Sequence, residues 1–118
     1  MKTIKKNEHT ATLIRELKKL SIEQDVKLWK RVASDLEKPT RQRRVVNLYK
    51  LEQHAKDGET VIVPGKVLGM GDVQRNITVA AHTFSAEAEE KINKQGKAIS
   101  IHELMKSNPK GSNVRILG

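Results

Sequence analysis

Several kinds of residue are absent or scarce in this 118-residue chain, and each absence excludes a class of protein. There is no cysteine, so disulfides and thiolate metal sites are excluded and a reducing compartment is permitted. The three aromatic residues are too few to fill a core, which must be built mainly from Val, Ile, Leu and Ala. No apolar run approaches the roughly 20 residues of a membrane-spanning helix, and residues 1–6 lack the apolar segment of a signal peptide. We therefore expect one soluble domain without membrane contact.

Positive charge, in contrast, is abundant and unevenly distributed. The formal net charge is +9. Residues 1–50 contain 14 Lys and Arg against 6 Asp and Glu, whereas residues 51–118 contain 9 against 8. A basic half joined to a nearly neutral half indicates a surface that faces a polyanion. Nucleic acid is the commonest such partner, and an anionic membrane surface is the next.

Apolar periodicity predicts two helices in the first third of the chain. Residues 1–9 are polar and basic, and we expect them to be flexible in the isolated protein. A first helix should begin near Thr10. Ser21 has the spacing of a capping box and should start the second helix, with Ile22 and Trp29 on its apolar stripe.

A basic segment, residues 38–44, follows the second helix, which Pro39 should end. It carries four cationic side chains and no acid: Lys38, Arg41, Arg43 and Arg44. Three of them are arginines, whose planar guanidinium groups can bind phosphate through two hydrogen bonds and stack on bases. The segment could be an ordinary solvated loop, but the charge of the whole N-terminal half favours contact with RNA or DNA. Asn47 then has the position of a cap for a third helix.

The densest β-branched runs lie within Glu59–Phe84 and predict two buried strands, Thr60–Val63 and Ile77–Ala81. We expect a glycine-rich loop between them, because several residues there favour unusual backbone angles or break strands: Pro64, Gly65, Gly69 and Gly71. The glycines could simply make turns. They could also let the backbone approach a phosphate–sugar chain closely, with Lys66 contacting the same chain.

The spacing of Gly65, Gly69 and Gly71 also matches the dinucleotide loop of short-chain dehydrogenases, which predicts a small nucleotide-dependent enzyme as the alternative function. That site requires a helix directly after the glycines, whose N-terminus binds the pyrophosphate. Here a second β-branched run follows instead. The phosphate-loop pattern fails too, because Lys66 is followed by Val67 rather than Ser or Thr.

No group of residues in the sequence has the pattern of an active site. The four histidines are scattered, without a metal-binding pair. Ser85 and Ser100 are better explained as helix caps than as nucleophiles, and their helices flank a short strand at 97–99. A last strand is predicted at 113–117. We therefore expect no enzymatic activity, no cofactor, no metal and no small-molecule substrate.

Four segments of the sequence resemble one known family. They are K-P-T-R through V-N-L at 38–48, V-I-V-P-G-K-V-L-G at 61–69, I-T-V-A-A at 77–81 and N-P-K-G-S-N-V-R at 108–115. Together they resemble archaeal large-subunit ribosomal protein eighteen-e, a relative of the bacterial-type large-subunit protein fifteen. The chain lacks the long glycine-rich basic arm of the bacterial relatives. The resemblance implies one α/β domain over residues 10–118, with N-terminal helices followed by β-β-α units wound as an irregular superhelix.

The resemblance also implies a structural, non-enzymatic role in the cytoplasmic ribosome. The partners would be large-subunit ribosomal RNA and neighbouring large-subunit proteins, and the isolated chain would be a monomer. The RNA-binding residues it implies are Lys38, Arg41, Arg43, Arg44 and Asn47 in the basic loop, Gly65, Lys66, Gly69 and Gly71 in the glycine-rich loop, and Lys110, Gly111, Ser112 and Arg115 at the C-terminal turn. We expect Lys5 and Lys6 to add phosphate contacts from the basic N-terminus. A DNA-associated regulator is a further alternative that rests on charge alone.

Overall fold

The computed structural model describes the backbone of residues 2–38 and 44–117, and the side chains of residues 10–38 and 45–117. The helices are α1 Lys2–Gln24, α2 Lys27–Glu37, α3 Leu48–His54, α4 Ala86–Gln95 and α5 Ile101–Ser107. The strands are β1 Arg44–Asn47, β2 Thr60–Leu68, β3 Thr78–Phe84, β4 Lys97–Ser100 and β5 Val114–Ile116. The predicted α/β class is confirmed.

A single sheet with β2 at its centre organises the fold. β3 pairs with one side of β2, and β4 lies beyond β3. β1 and β5 share the other side, where β5 pairs with Thr60–Ile62 and β1 with Gly65–Leu68. All these pairs are parallel. Parallel sheets are stable when both of their faces are covered, and here helices cover both.

Alternate residues of β2 feed two separate hydrophobic cores. Val61 and Val63 face α3 and α4 on one side of the sheet. Ile62 faces α1, α2 and α5 on the other. Trp29 of α2 is fully buried in the second core, as predicted, and its indole N–H donates a 2.7 Å hydrogen bond to the carbonyl of Pro109. That bond ties the C-terminal turn, residues 108–112, to α2.

The first helix differs from the prediction at both ends. It begins at Lys2 rather than near Thr10 and continues to Gln24. The flexibility expected of residues 1–9 in the isolated protein stays a prediction. Within the part of the chain that the structure describes, neither this helix nor any other is long and apolar enough to cross a membrane.

The capping box predicted at Ser21 is wrong, because Ser21 lies inside α1. Asp25, at φ 53°, takes the left-handed conformation that ends the helix. The N–H of Val26 then bonds to the Ser21 carbonyl at 3.0 Å, and Ser21 Oγ donates to the Val26 carbonyl at 2.8 Å. Ile22 consequently points outward from α1, 82% exposed, instead of joining the core stripe of α2.

The centre of the chain contains more strand than predicted. Val45 and Val46 belong to β1, which the sequence analysis did not identify as a strand. Pro64 and Gly65 lie within β2, not in a loop, and a register shift between Val63 and Lys66 accommodates them. Proline lacks an N–H for the ladder, so it is tolerated at such an irregularity. The β2–β3 connection is therefore residues 69–77 only.

The C-terminal third forms as predicted. Ser85 Oγ accepts a hydrogen bond from the Ala88 N–H at 3.1 Å, and Ser100 Oγ accepts one from the Glu103 N–H at 3.1 Å. Both serines are therefore true N-caps. Gly96 closes α4 and passes so near β3 that a Cβ at this position would lie 1.9 Å from the carbonyl oxygen of Ile77.

Candidate nucleic-acid interface

An exposed cation near the end of β2 is the first feature of the candidate interface. Val67 faces the core beneath α3 and α4, so Lys66, one residue earlier, points to the opposite face of the sheet. Lys66 pairs with Val45 of β1 and Thr83 of β3, and all three residues are exposed. This part of the sheet is thus open to solvent and carries a positive charge.

The basic segment leads directly to this open face. It begins at Lys38, just after α2, where Nζ lies 3.3 Å from Oδ1 of Asp35. It ends at Arg44, whose backbone pairs with β2 one residue before Lys66. The parallel β1–β2 pairing therefore joins two parts of the predicted site. The predictions for Arg41 and Arg43 and for the side chains of Lys5, Lys6 and Arg44 concern groups outside the described residues.

The β2–β3 connection is held from inside the protein by Lys91 of α4. Lys91 Nζ donates hydrogen bonds to the carbonyl oxygens of Gly69, at 3.0 Å, and Gly71, at 2.9 Å. It also lies 3.0 Å from a carboxylate oxygen of Glu87 and 3.8 Å from one of Asp72. Four acceptors on the connection and on α4 therefore converge on one ammonium group.

These contacts keep Lys91 charged. The hydrogen bond from Glu87 raises the pKa of Lys91 above its ordinary value of 10.5, and desolvation opposes this effect only in part. The negative charges of Glu87 and Asp72 raise the pKa of Lys91 further. The sequence shows the spacing of Glu87 and Lys91 as an i,i+4 pair on a helix. It could not show that Gly69 and Gly71, more than a helix away, supply the other acceptors.

The two glycines of the connection have a structural reason to be glycine. Gly71 has φ +99°, and a Cβ there would lie 2.7 Å from the backbone nitrogen of Tyr49. A Cβ at Gly69 would lie within 3 Å of the Glu87 side chain. The turn-making role left open by the sequence is thus confirmed for Gly71. The RNA contact predicted at both positions stays a prediction.

The connection also lacks the geometry of a dinucleotide site. It leads from Gly71 through residues 72–77 directly into β3, so no helix N-terminus faces the glycines. Parallel strands usually need about a dozen residues or more and a helix to connect them. Here an irregular segment alone crosses beside α3, held by the bond from the Gln74 N–H to the Glu52 carboxylate at 2.7 Å.

The C-terminal turn lies at the other end of the sheet. β5 follows it and pairs with the beginning of β2, whereas Lys66 lies near the end of β2. Lys110 and Ser112 are exposed, and Gly111 takes φ +63°. Arg115 is already engaged, 3.2 Å from the Glu59 carboxylate. The predicted site residues therefore form two groups and not one continuous surface.

Asn47 occupies the predicted position before α3, but its side chain makes no capping hydrogen bond. It is the last residue of β1, is half-buried and pairs with Leu68. Among residues 2–38 and 44–117, no cluster of His, Cys, Asp or Glu side chains could hold a metal ion.

Comparison with known proteins identifies the family. A family model for ribosomal proteins 50S-L15 and 50S-L18e and their 60S counterpart matches residues 26–100, which include α2, the basic segment, β1 to β3 and α4. The chain belongs to this family. The predicted resemblance is confirmed, and membership in this ribosomal protein family supports a structural role rather than a catalytic one.

Archaeal relatives in the family match almost the whole chain. The large ribosomal subunit protein eL18 of Methanospirillum hungatei is 49% identical over 114 residues, which cover 96% of this chain and 94% of that protein. The eL18 of Haloarcula marismortui is 44% identical over 113 residues, covering 96% and 97%. The eL18 of Methanococcus maripaludis is 42% identical over 117 residues, covering 98% of each chain.

Proposed function

We propose that this protein is a structural component of the large ribosomal subunit in the cytoplasm, and that it binds large-subunit ribosomal RNA through the basic segment and Lys66. The observation that carries the proposal is the parallel pairing of β1 with β2, which attaches one end of the basic segment beside an exposed lysine. The names of the archaeal relatives and the net charge of +9 support it.

The mode of binding follows from the chemistry of these groups. Lys66 and the arginines are donors without acceptors, so phosphate oxygens are their natural partners. Each phosphate that they neutralise releases counterions, which makes binding salt-dependent. A-form RNA hides the edges of its bases in a deep, narrow major groove, so a surface of this kind recognises the path of the RNA backbone more than its sequence.

The two groups of predicted residues suggest a second, separate RNA contact. Lys110 and Ser112 are exposed on the C-terminal turn, at the end of the sheet away from Lys66. Simultaneous binding at both ends would fix the orientation of the sheet on the RNA. Contacts at Gly69 and Gly71 are also part of this proposal, and photo-cross-linking from position 70 tests them.

The test removes the three arginines of the basic segment together. We expect Arg41→Ala, Arg43→Ala and Arg44→Ala in one chain to weaken binding to large-subunit ribosomal RNA. Each lost phosphate contact should reduce the slope of log affinity against log salt by about 0.7 to 0.9. The measurement is a filter-binding or fluorescence titration at several salt concentrations.

A charge-matched control separates contact from overall electrostatics. Lys94→Ala, Lys97→Ala and Lys106→Ala remove the same three charges from exposed positions outside the proposed interface. This control should keep the salt slope of the unmodified protein. An equal slope in the arginine triple variant and the unmodified protein would exclude the basic segment from the RNA interface.

A further inference from the structure

Two large side chains, Tyr49 and Met70, are exposed side by side and have no role in either core. Tyr49 of α3 is 54% exposed and Met70 of the β2–β3 connection is 68% exposed. Their backbones are joined by a 3.1 Å hydrogen bond from the Tyr49 N–H to the Met70 carbonyl. We call these two residues the Tyr49–Met70 patch. Tyrosine and methionine are enriched at the centres of protein–protein interfaces.

The patch is held in place before any partner arrives. Lys91 binds the carbonyls of Gly69 and Gly71, the residues on either side of Met70. Gly71 packs so closely on α3 that a Cβ would lie 2.7 Å from the Tyr49 nitrogen. A surface with a fixed backbone loses little conformational freedom when it binds.

The charges around the patch do not favour phosphate. The Lys91 side chain is only 25% exposed, whereas its partners Asp72 and Glu87 are 77% and 66% exposed. Arg75 is likewise paired, 3.3 Å from the Glu52 carboxylate. With half-buried Lys50 of α3 included, the surroundings of the patch are electrically balanced in a chain whose net charge is +9.

The patch also lies apart from the proposed RNA surface. α3 packs on the face of the sheet that contains Val67, because Leu48 and Leu51 share a core with that residue. Lys66 points to the opposite face. An apolar pair with exposed carboxylates beside it is therefore complementary to a polypeptide that carries both apolar and cationic side chains.

We propose that the Tyr49–Met70 patch is a docking site for a segment of a neighbouring large-subunit protein. The segment presents an apolar side chain to Tyr49 and Met70, and Lys or Arg side chains to the carboxylates of Asp72 and Glu87. This inference rests on the proposed place of the chain in the large subunit, but not on the proposed RNA contacts.

Site-specific photo-cross-linking within assembled large subunits tests the inference. Met70→p-benzoylphenylalanine places the cross-linker on the patch, and Lys66→p-benzoylphenylalanine places it on the proposed RNA surface. After irradiation, cross-linked partners in purified subunits are identified by mass spectrometry and by primer extension on the ribosomal RNA. We expect position 70 to cross-link to a lysine- or arginine-rich peptide of another large-subunit protein, and position 66 to cross-link to RNA.

The two positions fail independently. Cross-linking of position 70 to ribosomal RNA, or to nothing, would overturn the docking site, and an RNA cross-link there would favour the contacts proposed at Gly69 and Gly71. Absence of RNA cross-links at position 66 would count against the proposed RNA surface and leave the docking site intact. A chain that never enters large subunits would refute the proposed ribosomal role itself.

A variant and a matched control check that the patch itself makes the contact. Tyr49→Ala in the chain with the cross-linker at position 70 should lower the yield of the protein cross-link several-fold. Ile22→Ala removes another exposed apolar side chain, on α1 in the other core region, and should leave the yield unchanged. An equal yield in all three chains would show that Tyr49 does not form the docking site.

Discussion

At the scale of single residues, Lys91 shows how one side chain can organise a segment that contains no regular structure. Three of its contacts join it to the β2–β3 connection, at Gly69, Gly71 and Asp72. The fourth, with Glu87, fixes the lysine on its own helix. The connection has few apolar side chains of its own, so these polar contacts define its path.

We predict that Lys91→Met loosens the β2–β3 connection. Methionine keeps the length of the side chain but removes the donors, so the carbonyls of Gly69 and Gly71 lose their partner. Amide hydrogen exchange in residues 69–73 should become several-fold faster, and the melting temperature should fall. Lys94→Met, at an exposed position on the same helix, is the control and should change neither. Unchanged exchange in Lys91→Met would refute the role of Lys91.

The same pair of proteins gives a defined pH dependence. Because the pKa of Lys91 is raised in the folded state, its contribution to stability is complete below the unfolded-state value of 10.5. It is lost as the pH rises through the higher folded-state pKa. The difference in unfolding free energy between the unmodified protein and Lys91→Met should therefore be constant near neutral pH and shrink at alkaline pH. A difference that grows above pH 10.5 would contradict this.

At the scale of elements, close approach of backbones decides which glycines are indispensable. Gly96 ends α4 where the chain turns into β4 beside β3. Gly58 follows α3 at φ +82°, but open space surrounds the position of its missing Cβ. The two glycines thus separate the effect of steric contact from that of backbone conformation.

We predict that Gly96→Ala destabilises the protein far more than Gly58→Ala. A Cβ at position 96 meets the Ile77 carbonyl, and a rigid backbone can yield only by moving α4 or β3. The cost should equal or exceed the roughly 1 to 3 kcal/mol that is typical of overpacking. Gly58→Ala should cost about 1 to 2 kcal/mol, because only the left-handed conformation is disfavoured. Urea denaturation measures both, and similar losses would show that the approach at Gly96 is not limiting.

At the scale of the whole molecule, charge and contact are distributed unequally over the fold. The excess of positive charge lies in residues 1–50, which include α1, α2 and the basic segment. The opposite side of the sheet, covered by α3 and α4, has ion pairs that balance one another. A molecule with one cationic side and one neutral side can contact RNA and protein at the same time.

We predict that the protein sediments with the large ribosomal subunit in a cell lysate, both at moderate and at high salt. Several separated contacts, on the basic segment, the C-terminal turn and the Tyr49–Met70 patch, should make its retention less sensitive to salt than binding to isolated RNA. A sucrose gradient followed by immunodetection measures this. Recovery in the light soluble fractions at moderate salt would contradict the ribosomal role.

Local patterns predicted the elements whose signals lie close together in the chain. Ser85 and Ser100 were recognised as caps because the bonded amide is three residues away. The failures involve partners that are distant or compete. Ser21 matches a capping box equally well, but Asp25 ends α1 only after Ser21. Val45 and Val46 become a strand because β2 supplies their hydrogen bonds.

The sequence by itself determined the class of the fold, the family, the uneven charge and the absence of disulfides, because each depends on composition or on short spacings. Only the tertiary structure decided which cations meet. It places the end of the basic segment beside Lys66 through the β1–β2 pairing, and puts Lys110 at the far end of the sheet. It also decided that Lys91 serves the protein's own backbone. Such contacts depend on residues 20 or more positions apart, and no local pattern specifies them.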